Sequence, residues 1–233
     1  MTQDIVTRIP GTPSAPAETT SGRTVTRALL ACGAVAGPLF IVVSLIQVLT
    51  RPGFDLRRHA ISLLTLGDLG WIQRSNFALS GLLAIACAVG IRRALQGGRA
   101  GTWGPLLFSG YGVGLLVAGL FTPDPALGFP PGAPAGMATV MSWHAVLHTV
   151  AFFVAFISLV ASIFVFVRRF AGLGRRGWTA YCAATGVAPF PLIALSLAAG
   201  GSGVILFVMG VITSAWVAAL PAKLLTELTP ATD

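Results

Sequence analysis

The sequence predicts an all-α membrane protein, a six-helix transmembrane bundle, and three observations carry that prediction. No side chain is charged from Ala28 to Leu49, from Ala100 to Pro123, or from Gly177 to Ala222. At ~1.5 Å rise per residue, about 20 apolar residues cross a hydrocarbon core of ~30 Å, so the first two runs each suffice for one span and the third for two. Composition agrees: 9% of residues are charged, 55% are hydrophobic and the mean hydropathy is +0.85, too little charge to cover the surface of a soluble domain. Finally, the net charge of +8 comes from basic residues at the ends of apolar runs. They form no stripe with interleaved aromatics, so they read as topology rather than nucleic-acid binding.

The elements follow in order. Residues 1–26 are rich in Thr, Pro, Ser, Ala and Gly and are expected to be a disordered cytoplasmic tail, because they cannot bury enough apolar surface to offset ordering. A transmembrane domain over 27–223 should hold helices at about 28–49, 73–95, 102–121, 142–167, 178–199 and 202–222, leaving a short cytoplasmic tail at 224–233. Gly33 and Gly37 give the first span a small-residue stripe, as Gly110, Gly114 and Ala118 do for the third. The loop from Arg51 to Gln73 should contain a short amphipathic helix capped by Asp55, holding Leu56, His59, Ile61, Leu63, Leu64 and Leu66 and ended by Gly67 and Gly70. The loop from Thr122 to Pro134 carries five prolines and should be rigid and extended. Gly200, Gly201 and Gly203 divide the last apolar run, where a turn needs residues that accept positive φ. Cys32, Cys87 and Cys182 each fall inside a span and read as buried thiols, with no disulfide framework and no paired metal motif.

Orientation follows from basic residues. Eleven (Arg8, Arg23, Arg27, Arg92, Arg93, Arg99, Arg168, Arg169, Arg175, Arg176 and Lys223) lie on the side of both termini, against Arg51, Arg57, Arg58 and Arg74 on the other. The positive-inside rule therefore places both termini in the cytoplasm. Trp71 and Trp143 then mark the outer interface, Trp103 and Trp178 the inner one. The loops after Arg92-Arg93 and after Arg168-Arg169 share a pattern of Gly, Arg, Gly and Trp, which either records a duplicated hairpin or reflects what any cytoplasmic loop requires.

This orientation gathers the chemistry on the outer face. All three histidines lie there, as do Asp55, Asp68 and Asp124, the only acids between residues 19 and 226. His144 and His148 are four apart and share a helix face with Ala151, Ala155, Ser158 and Ser162. Gln73, Asn76, Ser80, Ala84 and Cys87 form a similar stripe on the second span. Polar groups near lipid usually face a bundle interior or a watery cavity. The candidate binding residues are therefore His59, Ser62, Gln73, Asn76, Asp124, His144 and His148, with Arg57 and Arg58 available to anionic groups. No span carries amides or acids through its full depth, which argues against a channel.

A resemblance adds to this reading. The stretch from Arg57-Arg58-His59 through Ser62, Gly67-Asp68, Gly70-Trp71 and Gln73 to Asn76-Phe77 resembles a signature of a bacterial membrane-protein family, domain-of-unknown-function family 998. So do Asp124-Pro125 with Gly128-Phe129-Pro130-Pro131, and Trp143-His144 with His148. The likeness covers most of residues 28–222 and implies a six-helix integral membrane protein, with no particular reaction. The arginine bias, fourteen of fifteen basic residues, fits a GC-rich bacterial genome and hence a plasma membrane.

Three functional readings stand at this point. The polar residues could line an outward-facing pocket that binds or handles a small molecule or lipid. His59, Asp124, His144 and His148 could hold zinc in a hydrolase acting on a lipid or lipid-linked substrate, though an HExxH run is lacking. Or the same groups could be a structural network between helices. Cysteine labelling tests the orientation common to all three. A thiol introduced beside Trp143, with the native cysteines replaced, should react with a membrane-impermeant maleimide on intact cells. Reaction only after the membrane is opened would reverse the topology.

Overall fold

The computed structural model describes residues 20–228; residues 1–19 of the expected N-terminal tail and 229–233 of the C-terminal one lie outside the described residues. Among the described residues there are seven α-helices and no strand: α1 (Thr20–Thr50), α2 (Gly70–Leu95), α3 (Gly98–Leu120), α4 (Trp143–Gly172), α5 (Arg176–Val187), α6 (Pro189–Ala198) and α7 (Gly203–Leu228). Six spans are long and apolar enough to cross a membrane, with α5 and α6 forming one of them. Each span packs on the next, and α7 returns against α1, so the six close a ring. One end of the ring carries residues 51–69 and 121–142 and is called here the loop end; the other is the terminal end.

Several boundaries differ from the sequence expectation, each for a physical reason. Helix α1 begins at Thr20, so the stretch 20–26 assigned to the tail is helical. Its first turns are held by α2, whose Arg93 donates from Nε to Thr26 Oγ1 at 3.0 Å and from Nη2 to the Gly22 carbonyl at 3.4 Å. The fifth span is broken where one helix was expected. Pro189 has no N–H to continue the ladder, and α6 restarts on it. Pro105 inside α3 similarly leaves the Gly101 carbonyl without its helical donor, and Arg92 Nη1 supplies one at 2.7 Å. Gly200 and Gly201 do make the last turn with positive φ, but Gly203 serves a different purpose. A Cβ there would collide with the Leu56 and His59 carbonyls, which come down onto the start of α7.

Helices in lipid gain little from the hydrophobic effect when they associate, so close packing must hold them. The expected stripes supply part of it: Gly114 lies against Ala151 and Ala155, and Gly37 against the Ser214 carbonyl. The tightest α2–α3 contact pairs Gly81 with Gly112, each of whose Cβ positions would fall within 2.7 Å of the other's carbonyl. Two cores result. Towards the terminal end, Phe108, Phe166, Phe170 and Trp216 fill the ring, and Trp216 Nε1 donates to Cys182 Sγ at 3.2 Å. Towards the loop end the smaller core of Phe40, Phe77, Leu115, Ala118 and Ala151 leaves polar side chains between α1 and α2.

Gly81→Val should therefore force α2 from α3, lowering stability in detergent melts by about 1–3 kcal/mol, the usual range for overpacking. Gly210→Ala is the control: nothing lies within 4 Å of its Cβ position. A Gly81→Val protein melting like the Gly210→Ala protein would refute the glycine contact.

Candidate functional site

Two arrangements at the loop end hold part of the predicted set: a cap made by the two loops, with His59, and a buried polar seam beneath it, with Gln73 and Asn76. The cap starts from a turn rather than the expected amphipathic helix. Asp55 Oδ1 accepts from Arg57 N at 2.9 Å, and the Asp55 carbonyl accepts from Arg58 N and His59 N. A single 3-10 turn over Ile61–Thr65 follows, burying Leu63, Leu64 and Thr65, and α2 then starts at Gly70, which had been expected to end a helix. The second loop is folded back rather than extended. Leu127 N donates to the Gly136 carbonyl at 3.0 Å and Gly128 N to Pro134 at 2.8 Å, which swings Phe129 inward until it is fully buried.

His59 joins the loops. Its Nδ1 accepts from Asp55 N at 2.9 Å, so the proton resides on Nε2, which donates to the Leu127 carbonyl at 3.0 Å. The ring is 2% exposed and packs 5.5 Å from Phe129 and 5.2 Å from Phe54. Arg51 completes the cap. Its Nη1 and Nη2 donate to the Leu64 and Leu66 carbonyls at 3.2 and 2.7 Å, and its guanidinium lies 5.4 Å from the Phe129 ring centre. Burial lowers the Arg51 pKa and the Asp68 charge partly restores it; the group stays protonated.

The other predicted residues separate. His148 is buried, and its Nδ1 lies 3.1 and 2.9 Å from the Ala118 and Phe121 carbonyls at the end of α3. Both partners are acceptors, so that nitrogen carries the proton and supplies a donor to carbonyls that have lost their helical one. His144, four residues earlier, is exposed and stacks 3.6 Å from the Trp143 ring, away from the bundle face it was expected to share. Asp124 Oδ2 accepts from Ser142 N at 2.8 Å, just ahead of α4, whose N-cap is Ser142 itself. Arg57 and Arg58 are exposed, and Ser62 gives its carbonyl to Thr65 Oγ1. Among the described residues no three or more His, Cys, Asp or Glu side chains are arranged to hold a metal ion. The set His59, Asp124, His144 and His148 is spread over separate surroundings, each ring with its own partners.

Gln73 and Asn76 do come together, with residues the sequence reading passed over. Gln73 Oε1 accepts from Gln47 Nε2 at 2.7 Å, and Gln73 Nε2 donates to Ser44 Oγ at 3.0 Å. Asn76 Nδ2 donates to the Phe40 carbonyl at 3.0 Å and lies 3.3 Å from Ser44 Oγ. Ser44, Gln47, Gln73, Asn76 and Ser80 are all buried, yet among the described residues Gln47 Oε1, Asn76 Oδ1 and Ser80 Oγ have no hydrogen-bond partner. Turning the Gln47 amide would forfeit its bonds to Val43 and Gln73, so one end of that group stays unmatched in either orientation. Phe40, Ser44, Gln47 and Arg51 follow helical spacing, and an amide at Gln47 within an apolar span was the available signal for this face. Arg51 was legible only as an outer charge, because its carbonyl partners belong to a loop conformation that local sequence does not encode.

His59→Ala should uncouple the loops. Amide hydrogen exchange is expected to quicken about tenfold or more across 55–66 and 126–136, the loss of one or two buried hydrogen bonds, while the middle of α4 is unchanged. Unchanged protection in both loops would show that His59 does not fasten them.

No curated protein and no solved structure matches the chain. A family model described as "Protein of unknown function (DUF998)" matches residues 34–223, and the chain, with its six apolar spans, belongs to that family.

Proposed function

We propose that this protein binds a small uncharged polar molecule, or the uncharged part of a lipid headgroup, in the seam between α1 and α2, reached from the outer face through the loop cap. The observation that carries the reading is the set of three buried, unpartnered polar atoms, Gln47 Oε1, Asn76 Oδ1 and Ser80 Oγ, on one polar line. Leaving such atoms unmatched in a low-dielectric interior costs about 1–3 kcal/mol each, so a bound species that supplies partners is favoured. From Arg51 to Phe40 the line follows α1 for roughly 16 Å, at the helical rise.

The residue types define the ligand. Amides and hydroxyls both donate and accept, and the seam residues Ser44, Gln47, Gln73, Asn76 and Ser80 carry no charge. A bare ion would be desolvated there without a counter-charge, whereas a neutral hydrogen-bonding group would be matched. Arg57 and Arg58, exposed beside the cap, suit an anionic portion of a larger ligand left at the surface, and Ser62, Asp124 and His144 lie at the same end. His59 and His148 hold the mouth in shape. The excess of basic residues at the terminal end supports a plasma-membrane protein with its loop end outward. The zinc-hydrolase alternative gains nothing from this geometry, because the histidines have separate partners.

Native mass spectrometry of protein extracted in mild detergent tests the reading. Wild-type protein should carry a small neutral species that Asn76→Leu loses, with affinity falling about 3- to 10-fold per hydrogen bond removed. If wild-type protein carries none and Asn76→Leu melts below the wild-type temperature, the seam is packing glue.

A further inference from the structure

The terminal end holds a second polar feature, independent of the seam and sharing no residue with it. A shallow, largely open cavity of about 480 Å³ lies at the start of α5, lined by Arg175, Arg176, Gly177, Trp178 and Tyr181. We propose that this cavity binds the phosphate headgroup of an anionic phospholipid.

Its charge is unneutralised. Among the described residues Arg175 and Arg176 have no side-chain hydrogen bond or ion pair, and the nearby Arg169 has a buried Nε without a partner. The related loop on the other side of the ring provides an internal comparison. There Arg92 is committed to the Gly101 carbonyl and Thr102 Oγ1, and Arg93 to Thr26 and Gly22, so its guanidiniums serve the fold. In the α5 loop the same residue type is left available. Two arginines on consecutive residues lining one cavity supply the guanidinium chemistry that recognises phosphate oxygens.

Two further features agree. Helix α5 has no side-chain N-cap, its N-cap position being occupied by Arg175; Arg176 N donates to the Gly174 carbonyl, and the amides that follow lack a side-chain acceptor, which favours an anion. The walls are Trp178 and Tyr181, in edge contact at 5.6 Å, amphipathic rings of the kind that settle at the headgroup level. A lipid rather than free phosphate is favoured by position: the cavity sits at the end of the least buried of the six spans, beside the exposed Leu173, where a headgroup arrives with its chains already in the bilayer.

Native mass spectrometry from mixed phosphatidylcholine and phosphatidylglycerol vesicles decides the matter. Wild-type protein should retain phosphatidylglycerol in preference to phosphatidylcholine. The double variant Arg175→Gln/Arg176→Gln should lower that retention about tenfold, as expected for losing charge-assisted contacts. Arg99→Gln/Arg168→Gln removes equal charge from the same end outside the cavity and should retain the lipid. Unchanged melting of both doubles in pure phosphatidylcholine confirms folding. Equal loss in the two doubles, no lipid preference in the wild type, or displacement of the lipid by millimolar inorganic phosphate would each overturn the proposal.

Discussion

The constraint on which the rest of this structure depends is that backbone carbonyls at the edge of a bilayer must find donors without open water. Inside the spans the helical ladder provides them. Where the chain leaves a span, side chains do: Arg51 serves Leu64 and Leu66, His59 serves Leu127, and His148 serves Ala118 and Phe121. At the terminal end Arg92 does the same for the carbonyl freed by Pro105. Residues that look catalytic in a list of letters are thus partly explained by a demand the lipid makes of the backbone.

Meeting that demand shapes the two ends differently. At the terminal end the ring is filled by interlocking aromatics, with Trp216 anchored to Cys182, and the buried Ser162 hydroxyl is spent on the Gly104 carbonyl. At the loop end the core is thinner, and the α1–α2 interface carries amides and hydroxyls. Polar contacts in membranes hold helices together, but a network that serves only this purpose can satisfy its own members. Here the bonds among Ser44, Gln47, Gln73 and Asn76 leave acceptors over. That surplus sets the seam apart from His59 and His148, whose partners belong to the protein itself.

The amino-acid sequence by itself determined the class, the number of spans and the family. Those properties follow from local physics: runs of apolar residues long enough for a bilayer, basic residues at their ends, and motifs read in order. It also marked Gln73 and Asn76, because amides on one helical face inside a span are costly enough to notice. The tertiary structure alone decided which polar groups meet. His144 and His148 share a face by spacing, yet the end of α3 takes one and leaves the other stacked outside on Trp143. His59, Asp124 and His148 share an end of the bundle, yet each is claimed by a different backbone group, while His144 packs on Trp143. Gln47 and Ser44 became partners of α2 only through the register at which the two helices pack. Spacing along a helix fixes direction over a few residues, whereas hydrogen-bond partners across a bundle depend on loop conformation and helix approach. Those are set by contacts between residues far apart in the chain.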